Sequence, residues 1–433
     1  MKKCPQVLVI GAGFGGMQAA QSLAGSGADV LLIDRNNYNS FIPLLYQVAF
    51  AQLEPGLIAY PVRTLFRRVS NVRFLMADVQ YIDLRQKYLE TERDRIPYDY
   101  LVLATGSQSR ISGVPGASEV ALPLRTLEDA IALRNHVVLR LEMASHEPDP
   151  DRRQQLLTFV IVGGGATGVE VAGALIELLR SLQRRDYPML RREKAHVVML
   201  QASDRLLPDL PPSLGGYTAK KLRQIGVDVR LGVKVSQVAP QAVYLQNGQS
   251  ISTETVIWTA GLEAAVPEVA DTVEATPRGK LTTLPTLQLP NFPEVYAIGD
   301  VAQVADADLT GVAPEALQAG VAVARNIHLQ MKGRSPKPFS YFNKGRLAII
   351  GCYSGVGQIA GVTLTGFLPW FMWLAVHLVY LPGFRNRLLV FLSWIQAFVL
   401  GDRAARTLLP TSSQALGKAA QFAERSVFNT YDL

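Results

Sequence analysis

Two glycine-rich segments of the same design carry the strongest chemical signal in this chain. Residues 7–16 read VLVIGAGFGG and residues 159–168 read FVIVGGGATG, so each is an apolar strand that runs into G-x-G-x-x-G and then into a helical stretch. The glycines permit a tight turn, close approach of backbone N–H groups to a pyrophosphate, and close packing of helix on strand. The diphosphate then lies at a helix N-terminus, which favours anions. Two such fingerprints predict two bound dinucleotides, a flavin and a nicotinamide that passes it a hydride.

The elements around the fingerprints predict the fold. Asp34 ends a strand about 20 residues after the first glycines, where a carboxylate can accept hydrogen bonds from adenine-ribose hydroxyls. Residues 101–106 and 256–261 have the pattern of buried strands that end in small-residue turns, and 295–300 of a short strand that ends in Asp300. We predict an α/β fold with two Rossmann-type dinucleotide-binding domains. Residues 1–150 and 285–360 form the first of these domains, 151–284 the second, and the polar stretch 145–155 a linker.

Composition and charge narrow the class of protein. The chain has 433 residues, a formal net charge of +7 and 48% hydrophobic residues. No basic run with interleaved aromatic residues indicates a nucleic-acid partner, and the five histidines show no metal-ligand spacing. The two cysteines, Cys4 and Cys352, form no C-x-x-C pair. We therefore expect a reduced, intracellular protein without a signal peptide, a metal or a dithiol centre.

The last part of the chain departs from the α/β pattern. Residues 366–381 and 388–400 are apolar and aromatic, and a proline and a histidine interrupt the first run. Four arginines flank these runs: Arg385, Arg387, Arg403 and Arg406. Neither run clearly has the roughly 20 residues of a spanning helix, whereas short aromatic helices edged by arginine are typical of the bilayer interface. We predict amphipathic membrane-anchoring helices in 361–433; a buried core helix and a dimer interface are the alternatives.

Further stretches resemble the type II NADH dehydrogenases, the non-proton-pumping NAD(P)H:quinone oxidoreductases. They are FIPLLYQVA at 41–49, AIGD at 297–300, APEALQ at 313–318, KGRLAIIG at 344–351 and GFRNR at 383–387. The resemblance runs nearly end to end. It implies a respiratory enzyme that transfers electrons from NADH, through non-covalent FAD, to a membrane quinone. It also implies that residues 1–150 and 285–360 are the FAD-binding domain and 151–284 the NAD(P)H-binding domain.

The resemblance also implies where such an enzyme works. It points to a peripheral, monotopic protein at the cytoplasmic face of a bacterial-type energy-transducing membrane. The implied partners are the quinone, NAD(P)H and the bilayer surface, with a homodimer left open and no nucleic acid.

The same resemblance implies the residues that bind FAD and the nucleotide. Gly11, Gly13, Gly16 and Asp34 are expected at the adenosine diphosphate half of FAD, and Asp300 near its ribityl chain. The full expected set of cofactor-binding residues is Gly11, Gly13, Phe14, Gly15, Gly16, Asp34, Arg35, Val79, Ala104, Thr105, Gly106, Gly163, Gly165, Thr167, Gly168, Gln201, Ala260, Gly261, Asp300, Ala316 and Leu317.

Three residues are expected to be catalytic: Glu170, Gln318 and Lys344. Glu170 is placed to hydrogen-bond the nicotinamide carboxamide or to relay a proton, or else it only complements the helix dipole. Residues 314–318 should open a helix whose N-terminal amides favour an anionic reduced flavin. Many family members have two glutamines in this motif, but here Pro314 occupies the first position.

Positions that line the quinone tunnel in the family correspond to five residues: Tyr46, Gln47, Gln318, Lys344 and Leu347. A lysine there can stabilise a quinol oxyanion, whereas its alternative is a solvated lysine before a strand.

One departure from the family concerns nucleotide specificity. Gln201 ends the second strand of the nicotinamide domain, where many NADH-specific members have an acid. A carboxylate accepts the ribose hydroxyls and repels a 2′-phosphate, and a neutral amide does neither. Arg205 lies four residues further on and can meet a phosphate. We expect NADPH to be tolerated beside NADH, unless Gln201 only hydrogen-bonds the ribose of NADH.

Two other functions stay open on the sequence. A sulfide:quinone oxidoreductase has the same architecture but needs redox cysteines beside the flavin, which Cys4 and Cys352 do not supply as a pair. A non-catalytic NAD(P)H-binding redox sensor would reduce its flavin but return the electrons to quinone slowly.

Overall fold

The computed structural model of the protein describes residues 4–111, 113–399 and 407–408. The chain forms two compact units. The first comprises the chain up to Ser40 with Ala59–Gln108 and Leu262–Asn343, and the second comprises Phe41–Ile58, Ser109–Gly261 and the chain from Lys344 onward. The tail residues Leu400, Arg403 and Arg406 lie outside the described residues.

These units divide the chain at other places than the predicted domain bounds. The chain returns to the first unit at Leu262 rather than at 285, and Phe41–Ile58 belongs to the second unit. The reason lies in packing that the sequence does not display. The amide of Asn386 in the tail donates to the carbonyl of Leu57 at 3.0 Å, and the indole of Trp394 donates to Gln47 at 2.7 Å.

A six-stranded sheet forms the centre of the first unit. In spatial order its strands are Gln288–Leu289, Phe292–Ala297, Tyr100–Leu103, Gln6–Ile10, Asp29–Asp34 and Val72–Met76. Gln288–Leu289 pairs antiparallel with its neighbour, and the other pairs are parallel. The first fingerprint strand is central and fully buried from Val7 to Val9, which explains why it is apolar without alternation.

Helices cover this sheet, and small strands surround it. The helices are Phe14–Ser22, Val62–Leu65 and Ala313–Met331, with a short 3₁₀ helix at Gly299–Val301. The first and the last of these pack closely, because a Cβ at Gly320 would lie only 2.5 Å from the carbonyl oxygen of Gly15. The remaining strands are Tyr38–Ser40, Ala59–Pro61, Val79–Asp83, Tyr88–Thr91, Arg95–Pro97, Glu268–Val269, Leu281–Thr283 and Ala302–Val304. Two further strands, Ser107–Ser109 and Leu262–Ala264, lie next to the unit boundaries in the chain.

The second unit is built on a five-stranded parallel sheet. In spatial order its strands are Leu122–Pro123, Thr255–Trp258, Thr158–Val162, His196–Gln201 and Val227–Leu231. The second fingerprint strand is again central and buried, with Ile161 paired to Met199 on one side and Ile257 on the other. Two antiparallel three-stranded sheets accompany it: Val235–Ala239, Ala242–Leu245 and Ser250–Ser252, and Arg346–Gly351, Ser354–Ile359 and Val362–Gly366.

The helices of the second unit include one where we predicted a linker. They are Leu45–Ala49, Pro55–Ile58, Ala117–Val120, Leu127–His146, Pro150–Leu156, Ala166–Arg185, Pro212–Gln224, Phe367–Tyr380 and Phe384–Val399, with 3₁₀ helices at Ile42–Leu44 and Pro188–Leu190. The linker prediction for 145–155 is wrong. Asp149 caps Pro150–Leu156 by accepting a hydrogen bond from the N–H of Asp151 at 3.1 Å, so the polar residues there are a helix start.

The tail forms two helices, Phe367–Tyr380 and Phe384–Val399, which we call the first and the second tail helix. Among the described residues no helix has both the length and the apolar character needed to cross a membrane. The proline of the first run, Pro369, lies in the first helical turn, where a missing N–H breaks no helical hydrogen bond. Trp370, Trp373 and Trp394 are buried, whereas many other large apolar side chains of these helices are exposed.

Gly173 sets how closely helix Ala166–Arg185 packs on strand Arg346–Gly351, because a Cβ there would collide with the carbonyl oxygen of Ile350. We predict that Gly173→Ala lowers the free energy of unfolding by about 1–3 kcal/mol. Gly216 is the matched control, since it is exposed within helix Pro212–Gln224 and a Cβ there meets nothing within 4 Å. Gly216→Ala should raise stability by about 0.5–1 kcal/mol. Denaturant unfolding measures both, and equal effects would contradict the packing.

Candidate active site

The first fingerprint forms a tight turn that leaves room above one glycine. Gly11 has φ of +99°, and a Cβ on it or on Gly16 would collide with backbone oxygen. A Cβ on Gly13, by contrast, would meet nothing within 4 Å. The second glycine therefore borders open space at the start of helix Phe14–Ser22, as close approach of a pyrophosphate requires.

The second fingerprint repeats this geometry. Gly163 has φ of +114°, and a Cβ there would lie 2.8 Å from the amide nitrogen of Ala260. A Cβ on Gly168 would collide with the carbonyl oxygen of Gly163, whereas one on Gly165 would meet nothing within 4 Å. Both fingerprint helices begin without a side-chain cap and without an acidic residue in the first turn. Their amides are thus available to an anion, unlike those of helix Leu127–His146, which has a Thr126–Asp129 capping box.

Asp34 and Gln201 take the same position in the two units. Asp34 Oδ2 accepts a hydrogen bond from the N–H of Ala12 at 2.6 Å, and Gln201 Oε1 accepts one from the N–H of Gly164 at 2.7 Å. Each donor is the residue after the first fingerprint glycine. Burial raises the pKa of Asp34, and the hydrogen bond from Ala12 opposes that rise. The second unit thus has an uncharged group where the first has an acid.

The surroundings of Gln201 are polar and hydrogen-bonded. Its Nε2 donates to Ser203 Oγ at 2.5 Å. Arg205 is half-buried and donates from Nη2 to the carbonyl oxygen of Pro208 at 3.0 Å. The guanidinium expected to meet a phosphate therefore lies in the loop that follows the Gln201 strand.

Other predicted flavin residues lie together at the carboxyl ends of the strands in the first unit. The Oγ of Ser107 donates to Asp300 Oδ2 at 2.7 Å. The Oγ1 of Thr105 is buried and has no hydrogen-bond partner among the described residues. A ligand that accepts or donates a hydrogen bond would satisfy it. The open space over Gly13 and this buried hydroxyl fit a flavin dinucleotide.

The remaining predicted cofactor residues have varied surroundings. Ala104 is buried against the Gly11 turn, and a Cβ on Gly15 would lie 3.4 Å from the carbonyl oxygen of Ala316. Val79 is buried at a strand start, and Arg35, Thr167 and Gly261 are exposed. The others are half-buried: Phe14, Gly106, Ala260 and Leu317.

Helix Ala313–Met331 begins within the predicted motif, and its acid faces back to its own start. Glu315 is buried and accepts hydrogen bonds from the N–H groups of Gly311 at 2.8 Å and of Val312 at 3.2 Å. The amide of Gln318 donates to the carbonyl of Phe342 at 3.0 Å and accepts from its N–H at 2.9 Å. Both ends of the Gln318 amide thus bond to the backbone of Phe342, and the expected catalytic and quinone-binding roles of Gln318 stay predictions.

Glu170 lies in a buried pocket of the second unit. Its Oε1 accepts a hydrogen bond from the N–H of Ile349 at 3.4 Å. Burial raises the pKa of Glu170 to about 8, although the hydrogen bond from Ile349 and, to a smaller extent, the side chain of Trp373 act to lower it. The carboxyl group is therefore mostly protonated at neutral pH and titrates just above it.

Tyr46 and Gln47 join this pocket through tryptophans of the tail helices. Gln47 is fully buried, with its Oε1 accepting from Trp394 Nε1 at 2.7 Å and its Nε2 donating to Tyr46 Oη at 3.0 Å. The Tyr46 ring meets Trp373 edge-on at 6.1 Å, and Trp373 stacks on His377 at 3.6 Å. Three tail residues of this network, Trp373, His377 and Trp394, were not among the site residues predicted from the sequence. The i, i+4 spacing of Trp373 and His377 was the available signal, since it places both on one helix face.

Lys344 and Leu347 lie at the start of strand Arg346–Gly351, the strand whose Ile349 donates to Glu170. Lys344 is exposed, and its Nζ donates to Tyr380 Oη of the first tail helix at 3.4 Å. Leu347 is half-buried on strand Arg346–Gly351, two residues before Ile349. The second unit thus joins Tyr46 and Gln47 to both tail helices, and Lys344 contacts the first of these helices, whereas the bond from Ile349 ties Glu170 to strand Arg346–Gly351.

Two family models match the chain. The model of the pyridine nucleotide-disulphide oxidoreductases covers residues 5–324, and that of the NDH2 C-terminal domain covers 343–403. The type II NADH:quinone oxidoreductase Ndh of Mycobacterium tuberculosis is 34% identical over 434 residues, which cover 97% of this chain and 93% of that protein.

Solved structures agree with this fold. NDH2 from Plasmodium falciparum in complex with NADH matches with a TM-score of 0.85 at 17% identity, over 94% of this chain and 100% of that one. The sulfide:quinone oxidoreductase from Aquifex aeolicus matches with a TM-score of 0.70 at 18% identity, over 99% of this chain and 96% of that one. At these identities the structural likeness concerns the fold alone.

These findings confirm the predicted α/β flavoprotein fold, FAD as cofactor, NADH as co-substrate and electron transfer to a quinone. The Mycobacterium tuberculosis relative matches over nearly the whole of both chains, and the NDH2 C-terminal model includes the tail helices. The chain belongs to the type II NADH:quinone oxidoreductase family.

Proposed function

We propose the following roles for the residues of this FAD-dependent NADH:quinone oxidoreductase. The first unit holds FAD and the second holds the nicotinamide nucleotide, with NADPH accepted beside NADH. The quinone reacts near Glu170, and the tail helices attach the enzyme to a bilayer. The observation that carries this proposal is the repeated fingerprint geometry, with two uncapped helix starts and open space over Gly13 and Gly165.

Polar groups of the first unit that can bind a ligand support FAD there. The fingerprint amides of helix Phe14–Ser22 favour the pyrophosphate, Asp34 suits a ribose, and Thr105 and Asp300 offer hydrogen bonds to the rest of the dinucleotide. The bound flavin supplies the hydride and electron chemistry, whereas these side chains supply position. The remaining cofactor residues predicted above complete this assignment.

The neutral amide of Gln201 supports the use of NADPH beside NADH. An acid at this position repels a 2′-phosphate, and Gln201 removes that repulsion while keeping the hydrogen bond to Gly164. The guanidinium of Arg205 lies in the following loop and can attract the phosphate. NADPH is therefore a second donor beside NADH.

A buried, protonated acid supports a quinone site near Glu170. The carboxyl group of Glu170 holds a proton at neutral pH, and in the same unit Gln47 bonds to Tyr46, whose ring contacts Trp373. A reduced quinone needs two protons, which this carboxyl group can relay. Leu347 contributes apolar surface, and Lys344 offers an exposed cation to a quinol oxyanion.

The tail helices supply the membrane contact in this proposal. Their exposed side chains include Leu368, Phe371, Val379 and Phe384, and the exposed Arg385 and Arg387 add positive charge. Such a face suits the interface of an anionic bilayer. A monotopic enzyme on the cytoplasmic face of an energy-transducing membrane, and a homodimer, belong to the same proposal.

Anaerobic mixing tests the whole assignment. Purified flavoprotein mixed with NADH or with NADPH should lose its flavin absorbance quickly, and a short-chain quinone should restore it quickly. Loss without rapid recovery would favour a redox sensor over an oxidoreductase. An unchanged spectrum with both nucleotides would rule out the nicotinamide site in the second unit.

Gln201→Glu tests the nucleotide preference. The isosteric carboxylate can keep the hydrogen bond from Gly164 while adding a charge that opposes the 2′-phosphate. We expect kcat/KM for NADPH to fall roughly tenfold or more relative to NADH. Gln237→Glu, which adds the same charge on an exposed strand of the same unit, is the matched control. Equal losses with both nucleotides would remove Gln201 from the ribose site.

Charges on the outer face of the first tail helix test the membrane contact. Leu368 and Phe371 are 55% and 56% exposed, and Met76 and Met189, outside the tail, are each 57% exposed. Leu368→Glu with Phe371→Glu should abolish pelleting with anionic lipid vesicles while flavin stays bound, because buried charge in the bilayer interface is unfavourable. Met76→Glu with Met189→Glu should pellet normally. Equal pelleting of the two double variants would refute the tail contact.

A further inference from the structure

The loop that follows the Gln201 strand, residues 202–208, is bonded to the second fingerprint. The N–H of Leu207 donates to the carbonyl oxygen of Gly164 at 2.8 Å, and the N–H of Gly164 donates to Gln201 Oε1 at 2.7 Å. Gly164 lies between the first two glycines of the fingerprint. Both of its backbone polar groups are therefore bonded either to Gln201 or to the loop that comes after it.

Side-chain packing fixes the conformation of the 202–208 loop. A Cβ on Gly164 would collide with Cδ2 of the fully buried Leu206, which explains a glycine at this position where the first fingerprint has Ala12. Leu207 is also buried, and its φ of +50° is an unfavourable backbone conformation for a side chain of this size. Such a conformation persists only where surrounding contacts hold it. The loop is thus set by tertiary contacts with the fingerprint.

Ser203 links Gln201 to this loop through its hydroxyl group. Gln201 Nε2 donates to Ser203 Oγ at 2.5 Å, and Ser203 Oγ donates to the carbonyl oxygen of Arg205 at 3.0 Å. Because a hydroxyl has one proton and this proton is directed at Arg205, the serine oxygen must accept from residue 201. An amide meets that demand with its N–H, whereas a carboxylate has no proton to donate. The loop is therefore matched to an amide at position 201.

The same bonds fix the orientation of the Gln201 amide. Its oxygen faces the N–H of Gly164 and its nitrogen faces the Ser203 hydroxyl. Turning the amide by 180° would place its NH₂ group against the N–H of Gly164, which is two donors in contact. These bonds use one N–H and one lone pair of the half-buried amide. Its other N–H and lone pair are the groups that can bond a ribose hydroxyl or a phosphate on that ribose.

We propose that Ser203 is a positioning residue for nucleotide specificity: its hydroxyl selects an amide over an acid at position 201 and holds that amide for the adenosine ribose. The inference rests on the proposed role of Gln201 in the nicotinamide nucleotide site. It makes the acceptance of a 2′-phosphate a property of the 202–208 loop as well as of the charge at residue 201. Ser203 acts through Gln201 on the adenosine half of the nucleotide, and not on the hydride transfer.

Binding of ADP-ribose, which has the adenosine half of the nucleotide and no nicotinamide, is the first measurement. Isothermal titration calorimetry on the oxidised holoenzyme compares Ser203→Ala with Ser236→Ala, which removes an exposed hydroxyl from strand Val235–Ala239 of the same unit. Ser203→Ala should weaken binding about three- to tenfold, because the ligand must then order an amide that has lost its hydrogen bond. Ser203→Thr keeps the hydroxyl and should bind as the wild type does, as should Ser236→Ala.

A double variant tests whether Ser203 acts through Gln201. Gln201→Ala removes the amide and should itself weaken ADP-ribose binding. Adding Ser203→Ala to it should cause no further loss, since no amide is left to hold. If Ser203→Ala fails to fold, Ser203→Cys takes its place, because a thiol of similar size is a weak acceptor.

Thermal unfolding tests the selection of an amide without any nucleotide. Gln201→Glu should lower the unfolding midpoint of the holoenzyme more in the wild-type background than in Ser203→Ala. In the wild type the serine must turn its proton from Arg205 to the new carboxylate, whereas Ser203→Ala has no such bond to lose. Equal shifts in the two backgrounds would overturn the selection of an amide by Ser203.

Anaerobic flavin reduction separates binding from hydride transfer. In Ser203→Ala the concentration of NADH or NADPH for half-maximal reduction rate should rise, while the limiting rate stays that of the wild type. Reduced nicotinamide mononucleotide, which lacks the adenosine half, should reduce the flavin equally well in both proteins. A loss with this donor as well would indicate a general disturbance of the site and overturn the positioning role.

The outcomes separate this inference from the proposed function. Wild-type affinity for ADP-ribose in Ser203→Ala, together with weakened binding in Gln201→Ala, would overturn the role of Ser203 alone, and additive losses in the double variant would do the same. Wild-type affinity in Gln201→Ala would remove Gln201 from the ribose site and this inference with it. Non-additive losses that are confined to ligands with an adenosine half support the proposal.

Discussion

The close seating of a helix start on a strand end is the constraint on which both dinucleotide sites depend. In each fingerprint the third glycine leaves no room for a Cβ above the carbonyl oxygen of the first, at Gly16 over Gly11 and at Gly168 over Gly163. Side chains at these positions would push the helix away from the sheet. Because each helix packs so closely on its strand, its first amides border the open space over Gly13 or Gly165. A diphosphate in that space can bind to backbone N–H groups alone.

The two fingerprints share this backbone geometry, but the first is paired with an acid, Asp34, and the second with an amide, Gln201. Asp34 and Gln201 accept the same backbone hydrogen bond from the residue after the first glycine, so the frame tolerates either an acid or an amide. The difference is charge, which matters to the ligand and not to the fold. A negative charge suits a free ribose and opposes a phosphate on it, and an amide leaves that choice to neighbours such as Arg205.

A second physical feature of the second unit is a buried acid, Glu170. Glu170 is buried, and the hydrogen bond from the N–H of Ile349 is too little to compensate for the lost hydration of a carboxylate. The neutral form is therefore favoured until the pH passes about 8. Tyr46 and Gln47 form a continuous network with Trp373 and Trp394, so residues of Leu45–Ala49 join the two tail helices.

The sequence by itself determined the features that depend on short-range stereochemistry. A strand, a glycine turn and a helix start are adjacent in the chain, so both fingerprints, the α/β class and two bound dinucleotides could be predicted from residue types and spacing, whereas the family followed from the resemblance of longer motifs. The short-range prediction of a linker is wrong at Asp149, because this capping residue followed by proline begins a helix. Only the tertiary structure decided the boundaries of the units, the engagement of Gln318 with Phe342, and the surroundings of Glu170. Burial raises the pKa of that acid, and its hydrogen-bond donor Ile349 lies 179 residues away, and no local pattern encodes which distant residues will exclude water from a carboxyl group.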